Sequence, residues 1–138
     1  MSTTDKTADL IGRILLSAIF LMAGIGKVGG YSGTQAYMEA AGVPGILLPA
    51  VIALEVLGAI AIIVGFKTRI VALLIALFTI AAAFLFHRAP DQIQQALFMK
   101  NLAIAGGFLI LVARGAGAWS LDARATALSA PGDVLRKA

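Results

Sequence analysis

The sequence predicts an all-α protein, an integral membrane four-helix bundle with both termini in the cytoplasm. Three observations carry that expectation: an apolar composition, four apolar segments of spanning length, and an uneven placement of Lys and Arg. Of the 138 residues, 60% are hydrophobic and only 13% charged, and the mean hydropathy is +0.96. Soluble domains run at roughly 45–50% apolar and about 25% charged, because their surface must meet water. A chain of this length has room for one compact domain, and here it holds too little polar material to coat one. Lipid is the solvent that fits.

A helix rises 1.5 Å per residue, so about 20 apolar residues cross a hydrocarbon core of about 30 Å. The first such segment runs from about residue 10 to 28, with Arg13 and Lys27 near its ends. The second, 46–65, is interrupted by Pro49 near its start and by Glu55 at its middle. The third, 70–86, carries no charge and lies between Arg69 and the pair His87-Arg88. The fourth, about 97–112, has Lys100 and Asn101 in its first turns. Lys6 and Arg13 ahead of an apolar run resemble the start of a signal peptide, but no small-x-small cleavage site follows within a polar stretch.

The connections are short. Residues 66–69 (Phe-Lys-Thr-Arg) make a tight helical hairpin. The first loop holds a short helical stretch, about 34–41, stopped by Gly42 and Pro44 in the usual order of stop signals. Ser120 is placed to cap a last short helix, about 121–128. Tyr31, Tyr37 and Trp119 are aromatics of the kind that anchor at headgroup level. With the amino terminus inside, Lys6, Arg13, Lys67, Arg69, Arg114, Arg124, Arg136 and Lys137 fall on the cytoplasmic side and Lys27, Arg88 and Lys100 on the other. The positive-inside rule then puts both termini in the cytoplasm.

Glu55 is the most informative residue. It lies at the middle of its span, where insertion of an acidic side chain costs about 2.5–3.5 kcal/mol. Its carboxylate is too short to reach either interface, so it must face the bundle interior, as a structural ion pair or as a group that handles protons or ligand. Candidate partners sit on helical stripes: Arg13, Ser17, Phe20, Gly24 and Lys27 in the first span; Arg69, Leu73, Ala76, Ile80, Ala83 and His87 in the third; Lys100, Ala103, Gly107, Ile110 and Arg114 in the fourth. Small residues on these stripes, with Gly58 and Ala59 beside Glu55, let backbones approach closely. The expected polar core is therefore Arg13, Lys27, Glu55, Lys100 and Asn101, with Arg13 reaching Glu55 from one side and the two lysines from the other. Arg13, Lys27 and Lys100 also lie near enough to predicted helix ends to snorkel to the headgroups.

Several chemistries are excluded or unsupported. There is no cysteine and one histidine, so neither a thiol redox pair nor bis-histidine haem ligation can come from this chain. No His/carboxylate cluster suggests a metal, and no catalytic motif is present. Gly24-Ile25-Gly26 and Gly115-Ala116-Gly117 read as helix ends, not phosphate loops. The basic residues are scattered singly, without the stripe that nucleic acid would need. Asp122 sits in the first turn of the last helix, where the dipole favours an acid.

These residues form a recognisable order: Arg13-Ile14-Leu15-Leu16, Phe20, Ala23-Gly24 and Lys27; Glu55, then Gly65-Phe66-Lys67-Thr68-Arg69; Lys100-Asn101; and Gly115-x-Gly117-x-x-Ser120-Leu121-Asp122. From Arg13 to Asp122 the chain resembles the DoxX family of small four-helix inner-membrane proteins, and most closely an enterobacterial branch of it. Members often have Gly-Pro-Gly where this chain has Gly115-Ala116-Gly117, which alters a turn and touches no functional residue. The resemblance implies a multi-pass protein of the bacterial cytoplasmic membrane and an accessory or anchoring subunit of a redox system linked to quinone, sulfur compounds or oxidative stress. Quinone is the one cofactor it suggests; the partners are the bilayer and either a redox protein or further copies of the chain. The alternative is a small-molecule- or proton-handling transporter that uses Glu55. A membrane enzyme acting alone has no supporting constellation.

Overall fold

A computed structural model of the chain describes residues 1–130. Its elements are α1 (Thr3–Gly29), α2 (Tyr31–Ala40), a 3-10 turn (Gly45–Leu47), α3 (Leu48–Val64), α4 (Thr68–Phe86), α5 (Gln92–Arg114) and α6 (Leu121–Ser129). No strand occurs among the described residues. Four of the helices, with the 3-10 turn continuing α3 backwards, are long and apolar enough to cross a membrane.

Helices α1 and α5 extend past their apolar spans because polar residues close their starts. At the start of α1, Ser2 Oγ accepts from the Asp5 amide at 3.1 Å and Asp5 Oδ2 accepts from the Ser2 amide at 3.0 Å, a reciprocal capping box. Asp91 caps α5 by accepting from the Gln94 amide at 2.9 Å. Gly30 ends α1 and opens α2 at once, so the interfacial segment begins earlier than the loop residues suggest. Ser120 caps α6 as its type predicts, accepting from the Ala123 amide at 3.1 Å.

Around the bundle, α1 packs on α3, α3 on α4, and α4 along α5. Small residues set the closest approaches. A Cβ on Gly24 would stand 2.6 Å from Val56 and 3.0 Å from the Glu55 Cβ, and one on Gly58 would stand 3.1 Å from Ile75. The core joins Phe20, Ala59, Ile62, Ala72, Ile75, Ala76, Ala105 and Phe108, with Phe20 and Phe108 edge to face at 5.5 Å. Leu15, Met22, Leu57, Ile70, Leu77 and Ile110 point outward, giving the apolar coat a bilayer requires.

Two of the three expected stripes need correction. In α1 the buried face is Arg13, Ser17, Phe20 and Gly24, as the spacing predicts. In α4 it is Thr68, Ala72, Ile75, Ala76, Thr79 and Ala83, so Arg69 and Leu73 face outward. In α5 it is Asn101, Ala105 and Phe108; Lys100, Ala103, Ile110 and Arg114 are exposed. Each true face lies one residue, about 100°, from the one marked by a charge.

The α3–α4 hairpin turns on Gly65, which is left-handed at φ 71°. A side chain there would also collide with the Cβ atoms of Ser120 and Ala116. Gly65→Ala is expected to cost about 2 kcal/mol, from left-handed strain and overpacking together. Gly29→Ala, whose added methyl meets nothing within 4 Å, should stay near the native melting temperature in the same detergent.

Candidate functional site

Functional groups gather at the two ends of the bundle. At the end away from the chain terminus, Lys27 in the last turn of α1 meets Glu55 of α3. The ammonium donates to Oε1 at 2.9 Å and to Oε2 at 2.8 Å. It is the one ion pair among the described residues. The Glu55 side chain is 5% exposed and that of Lys27 26%, so the carboxylate is deeply buried while the lysine keeps some access outward. Gly24, three residues before Lys27, lets α1 sit directly over Glu55.

Beside this pair lies a cavity of about 440 Å³, between α1, α2, α3, α4 and α5. Its walls are mostly apolar, including Phe20, Met38, Val51, Phe78 and Phe86. Lys27, Glu55, Thr79, His87, Lys100 and Asn101 supply the polar points. Asn101 is buried and donates from Nδ2 to the Thr79 carbonyl at 3.3 Å, tying α5 to α4. Lys100 is not in the core as expected; it is exposed and lines the cavity margin. His87 Nδ1 pairs with Gln94 Oε1 at 2.8 Å, closing the α4–α5 turn. Tyr37 is more than half exposed and stacks on Phe86 at 5.2 Å. Tyr31 is also exposed.

Arg13 does not meet Glu55. It is 1% exposed and lies at the terminal end of the bundle, where α1 starts. Its Nη1 donates to the carbonyls of Ile62 at 3.1 Å and Ile63 at 2.6 Å, and its Nη2 to that of Trp119 at 2.5 Å. The guanidinium thus closes the carbonyl end of α3, where the helix dipole is negative, and ties it to the chain ahead of α6. Depth explains the correction. Gly24, which packs on Glu55, is eleven residues from Arg13, or roughly 16 Å along the helix, beyond the reach of one side chain. Trp119 holds its ring about half exposed while its carbonyl serves Arg13.

Asp122 has a larger role than its helix position suggests. Its Oδ1 accepts from the Lys67 amide at 2.8 Å and Oδ2 from the Thr68 amide at 2.9 Å, while its own amide donates to the Gly65 carbonyl at 2.9 Å. It therefore caps α4 from fifty-odd residues away. A signal for this exists in the sequence: the residue before α4 is Lys67, which has no side-chain acceptor to cap the helix itself. Arg69 completes this latch by donating to the carbonyls of Val112 and Ala113 at 2.9 and 2.7 Å, at the end of α5.

Burial opposes the Asp122 carboxylate, but the amide bonds from Thr68 and Lys67 and the Lys67 charge outweigh it and hold its carboxyl below the ordinary 3.8. A depressed folded-state value means Asp122 stabilises the fold fully above about pH 4 and loses that contribution as pH falls through the depressed value. Native protein is expected to lose more melting temperature between pH 6 and pH 3 than Asp122→Asn does; equal losses would remove Asp122 as the titrating group.

No group of three or more His, Cys, Asp or Glu that could hold a metal occurs among the described residues. The family model for DoxX matches residues 8–88, more than half of the chain. The chain belongs to the DoxX family. This DoxX protein is 50% identical over 123 residues to the inner membrane protein YqjF of Escherichia coli K12, covering 88% of this chain and 95% of that one. It is 42% identical over 123 residues to the inner membrane protein YphA of the same organism, covering 83% and 88%. It is 30% identical over 82 residues to the putative oxidoreductase CatD of Bacillus subtilis 168, covering 59% of this chain and 61% of that protein. No solved structure matches. With four spanning helices and these relatives, this DoxX protein is a multi-pass inner-membrane protein.

Proposed function

We propose that this protein is a ligand-binding accessory subunit of a membrane redox system, which holds a small amphipathic molecule of the quinone type inside the bilayer. The observation that carries this reading is the cavity beside the Lys27–Glu55 pair. About 440 Å³ falls within the roughly 300–1,000 Å³ of small-molecule sites, which are mainly apolar with a few convergent polar groups. The residues fit a quinone: Lys27 and Asn101 carry donors for ring oxygens, and Phe20, Phe78 and Phe86 supply apolar walls. A quinone would bring reversible two-electron chemistry. The chain's own residues bind and orient it and keep water from it. With no cysteine and a single histidine, thiols and bis-histidine haem are not available from this chain, so a partner has to supply electron transfer. The redox setting is also supported by the relative named a putative oxidoreductase. In this reading both termini face the cytoplasm, as the Lys/Arg distribution favours.

The test is equilibrium binding of a short-chain quinone to the purified protein in nanodiscs. Saturable one-to-one binding is expected, and Ala82→Phe, which fills the cavity, should weaken it at least tenfold. Isolation from mild detergent with a quinone-dependent dehydrogenase is expected as well. Absence of saturable binding overturns the ligand-binding reading, and isolation only as copies of this chain overturns the accessory-subunit part. The second reading, a proton- or solute-handling carrier, is favoured by the burial of Glu55 against the same cavity. It requires Glu55→Gln to abolish binding or proton coupling in a protein that still folds. If that substitution only lowers stability, the carboxylate is structural.

A further inference from the structure

We infer that the cavity selects an amphiphile with an apolar chain and a negatively charged head, through Lys100. This rests on the cavity being a ligand site, as proposed above, and names the class of ligand it prefers.

The acidic and basic side chains lining the cavity are Lys27, Glu55 and Lys100, with His87 and Tyr37 beside them. Glu55 engages the Lys27 ammonium with both of its oxygens, so that pair is internally neutral. Lys100 has no carboxylate within ion-pair distance among the described residues. His87 does not offset it, since a histidine is either neutral or positive. Among the described residues the cavity lining therefore holds one basic side chain, Lys100, that no carboxylate pairs with.

The position of that charge matters as much as its sign. Lys100 is the ninth residue of α5, about two turns inside a helix of spanning length. Cations within spanning helices ordinarily pair with an anion or snorkel to the headgroups, and among the described residues no carboxylate stands within ion-pair distance of this one. Next to it, Asn101 is buried and reaches across to the Thr79 carbonyl of α4, so the backbone carrying Lys100 is fixed. Ile19, Leu47 and Leu85 are exposed at the cavity margin, which opens the site to molecules dissolved in the bilayer. A neutral ring would use the apolar walls and leave Lys100 uncompensated. A carboxylate or phosphate head on an alkyl chain satisfies both, because a charge-assisted hydrogen bond in a low-dielectric cleft is stronger than a neutral one.

Such a head could belong to a free fatty acid or to a phosphate-bearing lipid. The test uses the full-length protein, delipidated in a neutral maltoside detergent, with palmitate, hexadecyl phosphate, hexadecanol and a short-chain quinone as probes. Palmitate or hexadecyl phosphate is expected to bind at least tenfold more tightly than hexadecanol. The tighter of the two identifies the natural source, fatty acid or phosphate lipid. Lys100→Gln should remove that preference, while Lys100→Arg keeps it. Equal binding of acid and alcohol overturns the inference, as does an unchanged preference in Lys100→Gln. If the quinone binds without any preference for anions, only this inference fails; if no probe binds, the cavity reading fails with it.

Discussion

Arg13→Ala is expected to lower the unfolding free energy by about 3–4 kcal/mol, since each hydrogen bond to a charged group contributes about 1.5–3 kcal/mol and some of the freed carbonyls regain water. Three carbonyls lose the Arg13 donor at once, those of Ile62, Ile63 and Trp119, and that of Ile62 keeps only the Gly65 amide at 3.2 Å. Two of them close α3, and the third fixes the segment that leads to α6. Alanine's better helix propensity returns only a few tenths of a kcal/mol. Arg13→Lys should recover less than half of the loss, because an ammonium cannot span carbonyls on two chain segments as the guanidinium fork does. The measurement is circular dichroism during thermal unfolding in detergent, and a melting temperature unchanged in Arg13→Ala would show that the fork is dispensable.

The second large effect is asymmetric. Lys27→Met is expected to cost about 2–3 kcal/mol, at the low end for breaking a buried pair because the lysine is partly exposed. It strands Glu55, which pairs with no other cation among the described residues and has too short a side chain to find an interface. Glu55→Leu is expected to cost about 1 kcal/mol, since Lys27 stands in the last turn of α1 and can swing its ammonium outward. Combining the two should return the protein to within about 1 kcal/mol of native, as buried pairs replaced by apolar residues often are. Equal losses in the two single variants would contradict this geometry, as would simple additivity in the double variant.

The fold and the inward-facing Glu55 were legible because they rest on strong, local signals, whereas which of Arg13, Lys27 and Lys100 meets Glu55 was not. Four apolar spans need no partner to be recognised, and an acid at mid-span must face inward. The α1 stripe was correct because its polar residues, Arg13, Ser17 and Lys27, all serve the interior. In α4 and α5 a charged residue stands next to the residue that is buried. Thr68 and Asn101 go inward where Arg69 and Lys100 draw attention. Periodicity alone cannot choose between faces about 100° apart, because both contain small and apolar residues. Packing against a neighbouring helix chooses, and that information is nonlocal. Lys67 signals that α4 lacks a local cap, but that Asp122 supplies it is nonlocal too: its partners lie more than fifty residues earlier, and its own helix already explains an acid at that place.

The Asp122 bonds also bear on the order of assembly during synthesis. The turn at residues 65–68 is made before the carboxylate that caps α4 has been translated. Until Ser120 and Asp122 arrive, the Lys67 and Thr68 amides lack their acceptor and the Gly65 carbonyl lacks its donor. The four-helix arrangement thus stays open at that end until its last segment is translated, and closure reports that the whole membrane domain is in place. A reporter fused after Ser129 leaves that closure intact. An insertion between Gly117 and Ser120 would hold the bundle in its half-made state.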